Sequence, residues 1–355
     1  MKIADRQIGG GAPTYVIAEL SANHQQRLET AEALVDAAAE AGADAVKLQT
    51  YTPDTITIDA DSPEFRIDSG TVWDGRTLHQ LYAEAYTPWE WHEPLQRRAT
   101  KRGLHLFSSP FDDSAVAFLE AMEVPAFKIA SFELVDVGLI ARVAASGKPM
   151  IISTGMATLD EITEAIDVAR AAGARGIALL KCTSAYPAPP EESDLRTIPD
   201  MAARFRVPIG LSDHTLGTAV PVAAVALGAC IIEKHLTLSR ADGGPDSGFS
   251  LEPAEFREMV DLIRIAERAL GTVNYEPSER ERASRILRRS LFAVEPIKAG
   301  ETFTSSNVRS IRPGHGMHTR YLPDLVGRQA LRDIARGYDA CGSPKFLLPA
   351  LFSSV

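Results

Sequence analysis

Cysteine is scarce in this chain of 355 residues: Cys182, Cys230 and Cys341 are the only three. They are odd in number and far apart. That excludes a disulfide framework and a Cys-ligated zinc site, and it points to a reducing compartment. No run of 18 apolar residues occurs, so no membrane-spanning helix is expected. The opening MKIADRQIGG lacks an apolar core, so no secretory signal is expected and a cytoplasmic location follows. Positive charge is also short. Lys and Arg number 37 against 47 Asp and Glu, a net charge of −10, which argues against a nucleic-acid partner. No GxGxxG follows the first apolar run, which weakens a dinucleotide-binding reading. What is present is an ordinary globular composition, 45% apolar and 24% charged, able to bury a sizeable core. The length suits two domains, with one large barrel as the main exception.

Short apolar runs alternate with longer amphipathic ones from residue 15 to about residue 236. The apolar runs are YVIAEL, ADAVKLQT, LHLFSSP, AFKIAS, PMIIST, IALLKCT, PIGLSDH and CIIEKHL, which predict eight strands. Between them lie helix patterns such as LETAEALVDAAAEAG, EWHEPLQRRATKRG and LDEITEAIDVARAAG, each ending in Gly as a helix stop should. Strands alternating with helices imply a parallel sheet. Eight such units predict an α/β fold, a closed (β/α)8 TIM barrel, with a doubly wound open sheet as the alternative. The helix EPAEFREMVDLIRIAERALG closes this part at Gly271. The expected division is a catalytic barrel domain over 1–272, a polar linker over 273–289 and a small β-rich domain over 290–355. From Ile286 to Val355 ten basic residues face five acidic ones. That local +5 within a total of −10 leaves −15 for the rest, and opposite signs favour contact between the parts.

Each predicted strand is apolar along its body and polar at its C-terminal end, where a closed barrel carries its chemistry. The first ends in Glu19, the second in Lys47 and Gln49, the third in Ser108 and Ser109, and the fourth in Lys128 and Ser131 with Glu133 beyond. The fifth ends in Ser153, the sixth runs out through Ser184 to Tyr186, the seventh ends in Ser212, Asp213 and His214, and the eighth in Glu233, Lys234 and His235. Alternation puts Lys47 and Gln49 on one face. It puts Lys234 opposite Glu233 and His235, either solvated or simply outside the site.

His214 and His235 end adjacent strands, so both could reach one metal ion; Mn or a similar divalent ion suits such a nitrogen and oxygen site. Two unrelated polar histidines are the alternative. Glu19, Glu233 and Asp246 could complete the metal site or move protons. Lys47 and Lys128, with Ser131, Ser153 and Ser184, form a cation and hydroxyl set fit for a phosphate plus a carboxylate. A Schiff-base lysine, as in a metal-free aldolase, is the other use of such a residue. The Gly-rich RADGGPDSGFSLEP reads as an active-site loop around Asp246, or as a plain surface loop. In IRPGHGM a rigid turn presents Arg312, which could bind an anion in a neighbouring site.

Taken together, IAELSANH, GADAVKLQTY, FSSPFD, FKIASFE, IISTGMA, CTSAYPAP, GLSDHTLG, ALGACIIEKHLTL and FSLEPAEF resemble the sialic acid synthase family, which condenses phosphoenolpyruvate with an amino-sugar aldehyde. The resemblance runs from about residue 14 to residue 340 and includes a C-terminal module similar to the SAF, or antifreeze-like, domain. KLQTYTPDT, GTVWDGRTLHQLY, KIASFE, VRSIRPGHGM and YLPDLVG resemble the pseudaminic branch more than the N-acetylneuraminate branch. Ser247 stands where the sialic branch commonly has His, and Gln25-Gln26 replaces a small residue.

The resemblance implies His214 and His235 as metal ligands, for Mn with Mg or Co as alternatives. It implies Lys47, Lys128, Ser131, Ser153 and Ser184 around phosphoenolpyruvate, and Gln49, Glu133, Tyr186 and Asp246 lining the sugar or metal; Ser109, Ser212, Glu233 and Arg312 are further substrate-binding candidates. Glu19, Glu133, Asp246 and His235 form the catalytic set, with Glu19 or Glu133 handling the proton. Arg312 would enter the partner subunit's site in a domain-swapped homodimer. The implied activity is condensation of phosphoenolpyruvate with diacetamido-trideoxy-altrose. A neuraminate or legionaminate synthase, an aldolase and a non-catalytic binding protein are the alternatives.

Overall fold

In the computed structural model, which describes residues 1–68, 70 and 73–339, eight parallel strands close into a barrel. They are β1 (Tyr15–Glu19), β2 (Ala45–Thr50), β3 (His105–Pro110), β4 (Phe127–Ile129), β5 (Met150–Ser153), β6 (Ile177–Cys182), β7 (Ile209–Asp213) and β8 (Ile231–His235). Neighbours in sequence pair in order, and β8 pairs with β1 to close the ring. The strands read as continuous apolar runs because both faces are covered, one by the barrel interior and one by helices. All five residues of β1 are buried.

The covering helices are α1 (Leu28–Glu40), α2 (His92–Lys101), α3 (Asp113–Ala121), α4 (Val137–Ala145), α5 (Leu159–Ala171), α6 (Thr197–Phe205), α7 (Ala219–Ala226) and α8 (Pro253–Leu270). In α1 the buried side chains Ala31, Leu34, Val35 and Ala38 follow the helical period, so one stripe faces the sheet. Burying a residue such as Leu34 contributes about 1.5–3 kcal/mol. A capping box starts α5: Thr158 Oγ1 accepts from Glu161 N–H at 3.3 Å, and Glu161 Oε2 accepts from Thr158 N–H at 2.7 Å. After α1, Gly42 takes φ +86°, a left-handed turn that stops the helix and sends the chain into β2. The excursion between β2 and α2 is long and holds an extra helix, Leu78–Ala85.

The chain divides into two compact units, Met1–Gly271 and a second from Thr272 onward. The second contains a short helix, Glu279–Ser284, within the stretch read as linker. An antiparallel pair follows, β9 (Ser290–Ala293) and β10 (Val308–Ile311). Its own small core includes Leu291, Ile297, Phe303, Val308 and Leu325. Cys182 and Cys230 are free thiols. Cys341, the rest of the tail beyond 339, and Thr71 and Val72 of the GTVWDGRTLHQLY segment lie outside the described residues. Among the described residues no helix is long and apolar enough to cross a membrane.

Candidate active site

Strand register assembles the rim. His235 lies opposite Glu19, Glu19 opposite Lys47, and Gln49 opposite Ser109. These residues come from different parts of the sequence and meet because the register of neighbouring strands sets them side by side toward one end of the barrel.

Charge concentrates at the centre. Lys47 pairs with Glu19 and lies 3.5 Å from Glu233 Oε1; Lys128 Nζ lies 3.9 Å from the same oxygen. All four side chains are buried. Lys47 also donates to Ser109 Oγ at 3.3 Å, Lys128 to the Ile129 carbonyl at 3.1 Å, and Ser212 Oγ to Glu233 Oε1 at 3.2 Å. Burial favours the neutral form of each group. It lowers Lys128, while for Lys47 it is outweighed by Glu19 and Glu233, which hold that ammonium above its ordinary range. Burial would likewise raise Glu233, but Lys128, Lys47 and His214 hold it down. Glu19 is the member that titrates: burial lifts it to about 7 against the pull of Lys47.

Beside the lysines, Ser131, Ser153, Gly155 and Ser184 form a cradle. Ser131 Oγ accepts from Gly155 N–H at 3.1 Å. A Cβ on Gly155 would lie 2.1 Å from Ser184 Oγ and 2.8 Å from Ser131 Oγ, so only glycine leaves this space open. Ser153 Oγ is buried and has no protein partner. Hydroxyls, a backbone N–H and two ammonium groups make a receptor for an anion such as phosphate or carboxylate.

Imidazoles and aromatic rings line the neighbouring side. The rings of His214 and His235 stand 5.4 Å apart. His214 Nδ1 is 2.9 Å from the Thr183 carbonyl, which can only accept, so the proton sits on Nδ1 and Nε2 keeps its lone pair. His235 Nδ1 is buried without a partner. Burial, followed by the charge of His214, holds His235 well below the ordinary histidine range, which favours a neutral ring. Burial would lower His214, but the contact with Cys182 raises it, and two imidazoles, once unprotonated, would fit a borderline divalent metal. Among the described residues no group of three or more His, Cys, Asp or Glu side chains gathers around one metal position. The carboxylates expected to complete such a site are engaged elsewhere: Glu19 with Lys47, Glu233 with both lysines, and Asp246 with Ser21.

Asp246 is buried and its carboxyl is raised by that burial, opposed by the Ser21 hydroxyl. Ser21 Oγ in turn accepts from Gln49 Nε2 at 3.1 Å, which links β2 to the loop after β8. Tyr186 packs against His214 with ring centres 4.4 Å apart. Glu133 stands apart from the four-charge cluster. Burial raises it to about 7, and its Oε2 has no protein partner. Ser247 donates to the Gly244 carbonyl at 3.2 Å inside its own loop.

Two expectations need correction. Lys234 does point away from Glu233 and His235, but it is fully buried, not solvated. Its ammonium pairs with Asp213 beneath the histidines and donates to the Thr215 carbonyl. Lys181, whose solvation on the outer face is the other such alternative in the alternation of β6, is half-buried and donates to the Cys182 carbonyl at 3.2 Å. Arg312 belongs to the second unit, where it is exposed just after β10.

Several residues escaped the sequence reading. Phe249 packs on His235 at 5.0 Å, and Ser21 bridges Asp246 and Gln49. Cys182 Sγ lies 3.9 Å from His214 Nδ1; burial would raise its thiol, but the contact with His214 brings it down to about 7. Trp73 packs on Tyr186 at 5.5 Å. Phe249 carried a signal in its place in the Gly-rich loop beside Asp246, and Trp73 in its place within GTVWDGRTLHQLY.

Comparison with known proteins agrees with this geometry. Residues 34–275 match the NeuB family and residues 288–337 match the SAF domain. A pseudaminic acid synthase of Campylobacter jejuni is 44% identical over 91% of this chain and 94% of its own. An N,N'-diacetyllegionaminic acid synthase of Legionella pneumophila is 34% identical over 93% of this chain and 94% of its own. The crystal structure of the N-acetylneuraminic acid (sialic acid) synthetase from Leptospira borgpetersenii, in complex with citrate, superposes with a TM-score of 0.71. It is 31% identical and covers 80% of this chain and 94% of that one.

Proposed function

The chain belongs to the NeuB family, and from that membership we propose that it is a pseudaminic acid synthase, joining phosphoenolpyruvate to an open-chain diacetamido-trideoxy-altrose with release of phosphate. The observation that carries this reading is the meeting of two buried lysines and the Gly155 cradle with a pair of neighbouring histidines on one rim. The first pair of features binds an anionic enol ester. The second addresses an aldehyde.

Lys47 and Lys128 hold the phosphate and carboxylate of phosphoenolpyruvate, with Ser109, Ser131, Ser153, Ser184 and Ser212 donating around them. His214 and His235 would hold the divalent ion, manganese with magnesium or cobalt as alternatives, which when bound supplies Lewis-acid polarisation of the aldehyde. Carbon 3 of phosphoenolpyruvate forms the new bond to the aldehyde carbon. The aldehyde oxygen takes a proton and becomes a hydroxyl. Water adds at carbon 2, giving its proton to a protein base, and the bond from carbon 2 to the phosphate oxygen then breaks. The carbon 2 hydroxyl gives its proton to the departing phosphate as the carbonyl forms, so that phosphate leaves in the cradle and the keto acid remains. Glu133 suits the proton transfer better than Glu19, because Glu133 Oε2 is unengaged while Glu19 is tied to Lys47. Asp246, with Ser21 and Gln49, orients the sugar hydroxyls.

The second unit completes the picture as a SAF domain whose Arg312 is delivered to a partner subunit in a domain-swapped homodimer. The acidic barrel portion and the basic tail support that pairing. The division into barrel 1–272, linker 273–289 and tail domain 290–355 belongs to the same reading, as does a cytoplasmic location, where phosphoenolpyruvate is made.

The test is phosphate release from phosphoenolpyruvate with Mn, offering separately the diacetamido-trideoxy-altrose, N-acetylmannosamine and the legionaminic precursor. Release with the altrose sugar alone is expected. Release with only one of the others keeps the chemistry and moves the substrate. No release with any of them from metal-replete protein overturns the reading.

A further inference from the structure

The aromatic rings on the imidazole side form a series. Phe249 packs on both His235 and His214, Tyr186 packs on His214 and Phe249, and Trp73 packs on Tyr186. Trp73 is therefore one ring farther from the histidines than Tyr186. It comes from the long excursion after β2, while Tyr186 follows β6 and Phe249 follows β8.

Trp73 is held in place from several directions. Its indole N–H donates to the Pro245 carbonyl at 3.0 Å, tying the excursion to the loop after β8. Gln25 Nε2 donates to the Asp242 carbonyl at 3.1 Å and the Gly243 carbonyl at 3.3 Å in that same loop. Gln26 Nε2 donates to the Glu84 carbonyl at 3.0 Å on the other flank. Both glutamines sit at left-handed φ, 52° and 53°, a conformation that sends their side chains to opposite neighbours. Three loops are thus latched to one another before any ligand binds, which cuts the ordering cost of binding.

We propose that Trp73 is a specificity-determining residue that receives the terminal methyl group of the sugar. This rests on the synthase reading above. With the aldehyde end at the histidine pair, the far end of an open six-carbon chain runs outward past Tyr186. A methyl group there meets an indole face and is favoured by burial. A hydroxymethyl group at the same place would lose water, and the indole N–H, already given to Pro245, would not replace it. An apolar wall rejects one added hydroxyl only modestly, by about 10²-fold at most. That bounds the size of the effect.

The experiment compares kcat/KM for two sugars: the trideoxy aldehyde, and its counterpart with a hydroxymethyl group in place of the terminal methyl. Wild-type protein is expected to favour the methyl sugar by about 10- to 100-fold. Trp73→Ala should bring the ratio to within about 3-fold by losing activity on the methyl sugar, with KM for phosphoenolpyruvate unchanged. Trp73→Phe keeps a ring against Tyr186 and should keep most of the preference, which guards against a variant that merely folds badly. If Trp73→Ala lowers both sugars equally and the ratio stands, the inference is overturned while the synthase reading survives. If wild-type protein releases no phosphate with either sugar, the synthase reading fails and takes the inference with it.

Discussion

The two halves of the rim are built differently. The anion half consists of strand ends: Lys47 on β2, Ser109 on β3, Lys128 on β4, Ser153 on β5 and Glu233 on β8. Their positions follow from barrel register, and their charges are neutralised by one another. The half proposed above to receive the sugar borrows Trp73, Tyr186, Asp246 and Phe249 from loops that reach one another only by tertiary contact. The lesson concerns division of labour. On the proposed reading, the groups that hold the anion sit on rigid strands, and the groups that would choose among sugars sit on loops that can change without disturbing the barrel.

Three perturbations test that division. The largest effect should come from Lys234→Met. It leaves Asp213 buried without its cation beneath the histidines, and breaking a buried pair costs about 3–5 kcal/mol. Denaturant unfolding reads the loss. A comparable loss from Trp73→Ala would mean that the loops, not the strands, carry the frame. Next comes Gly155→Ala. Its Cβ collides with Ser184 and Ser131, so kcat/KM for phosphoenolpyruvate should fall about 10²-fold while KM for the sugar holds. If both constants move together, the two halves are not separable.

The smallest effect is expected of Glu133→Gln, about 10²-fold or less in turnover, and its signature is in the pH profile. Glu133 titrates near 7, raised by burial from 4.5. As the proton acceptor it must be ionised, so kcat/KM should rise with pH through about 7 in wild-type protein, and this limb should vanish in the amide. Stability runs the other way. A carboxyl raised in the folded state favours folding fully below 4.5 and loses that contribution as pH climbs through about 7. Relative to wild type, the amide variant should therefore gain stability across that window. A pH limb that persists in Glu133→Gln would reassign the proton to Glu19.

Sequence made the strand half legible for a physical reason. A strand buried on both faces reads as an apolar run, and a polar residue at its end is conspicuous. Alternation then separates Lys47 and Gln49 from their neighbours. The loop half offered no such pattern. Trp73 and Pro245 lie in distant segments, and nothing local announces their bond. Nothing in the sequence around Gly155 shows how closely Ser184 and Ser131 surround it. Parity placed Lys234 off the site, but parity is silent on what lies outside the barrel, where Asp213 and the Thr215 carbonyl accept its protons. Likewise two acidic residues, Glu19 and Glu133, are indistinguishable in a sequence. A lysine contact separates them in space.

The seam between β8 and β1 bears on how the molecule comes into being. His235 stands opposite Glu19 there, at the one join that brings the first and last barrel strands together. During synthesis Glu19 emerges early and must wait for almost the whole barrel before its neighbour exists. Such a distant pairing is slow to form and is the last to become possible on the ribosome. A nascent or truncated chain lacking β8 therefore has most of the anion half and no imidazole pair. Formation of the β8–β1 pairing during refolding therefore marks completion of the barrel.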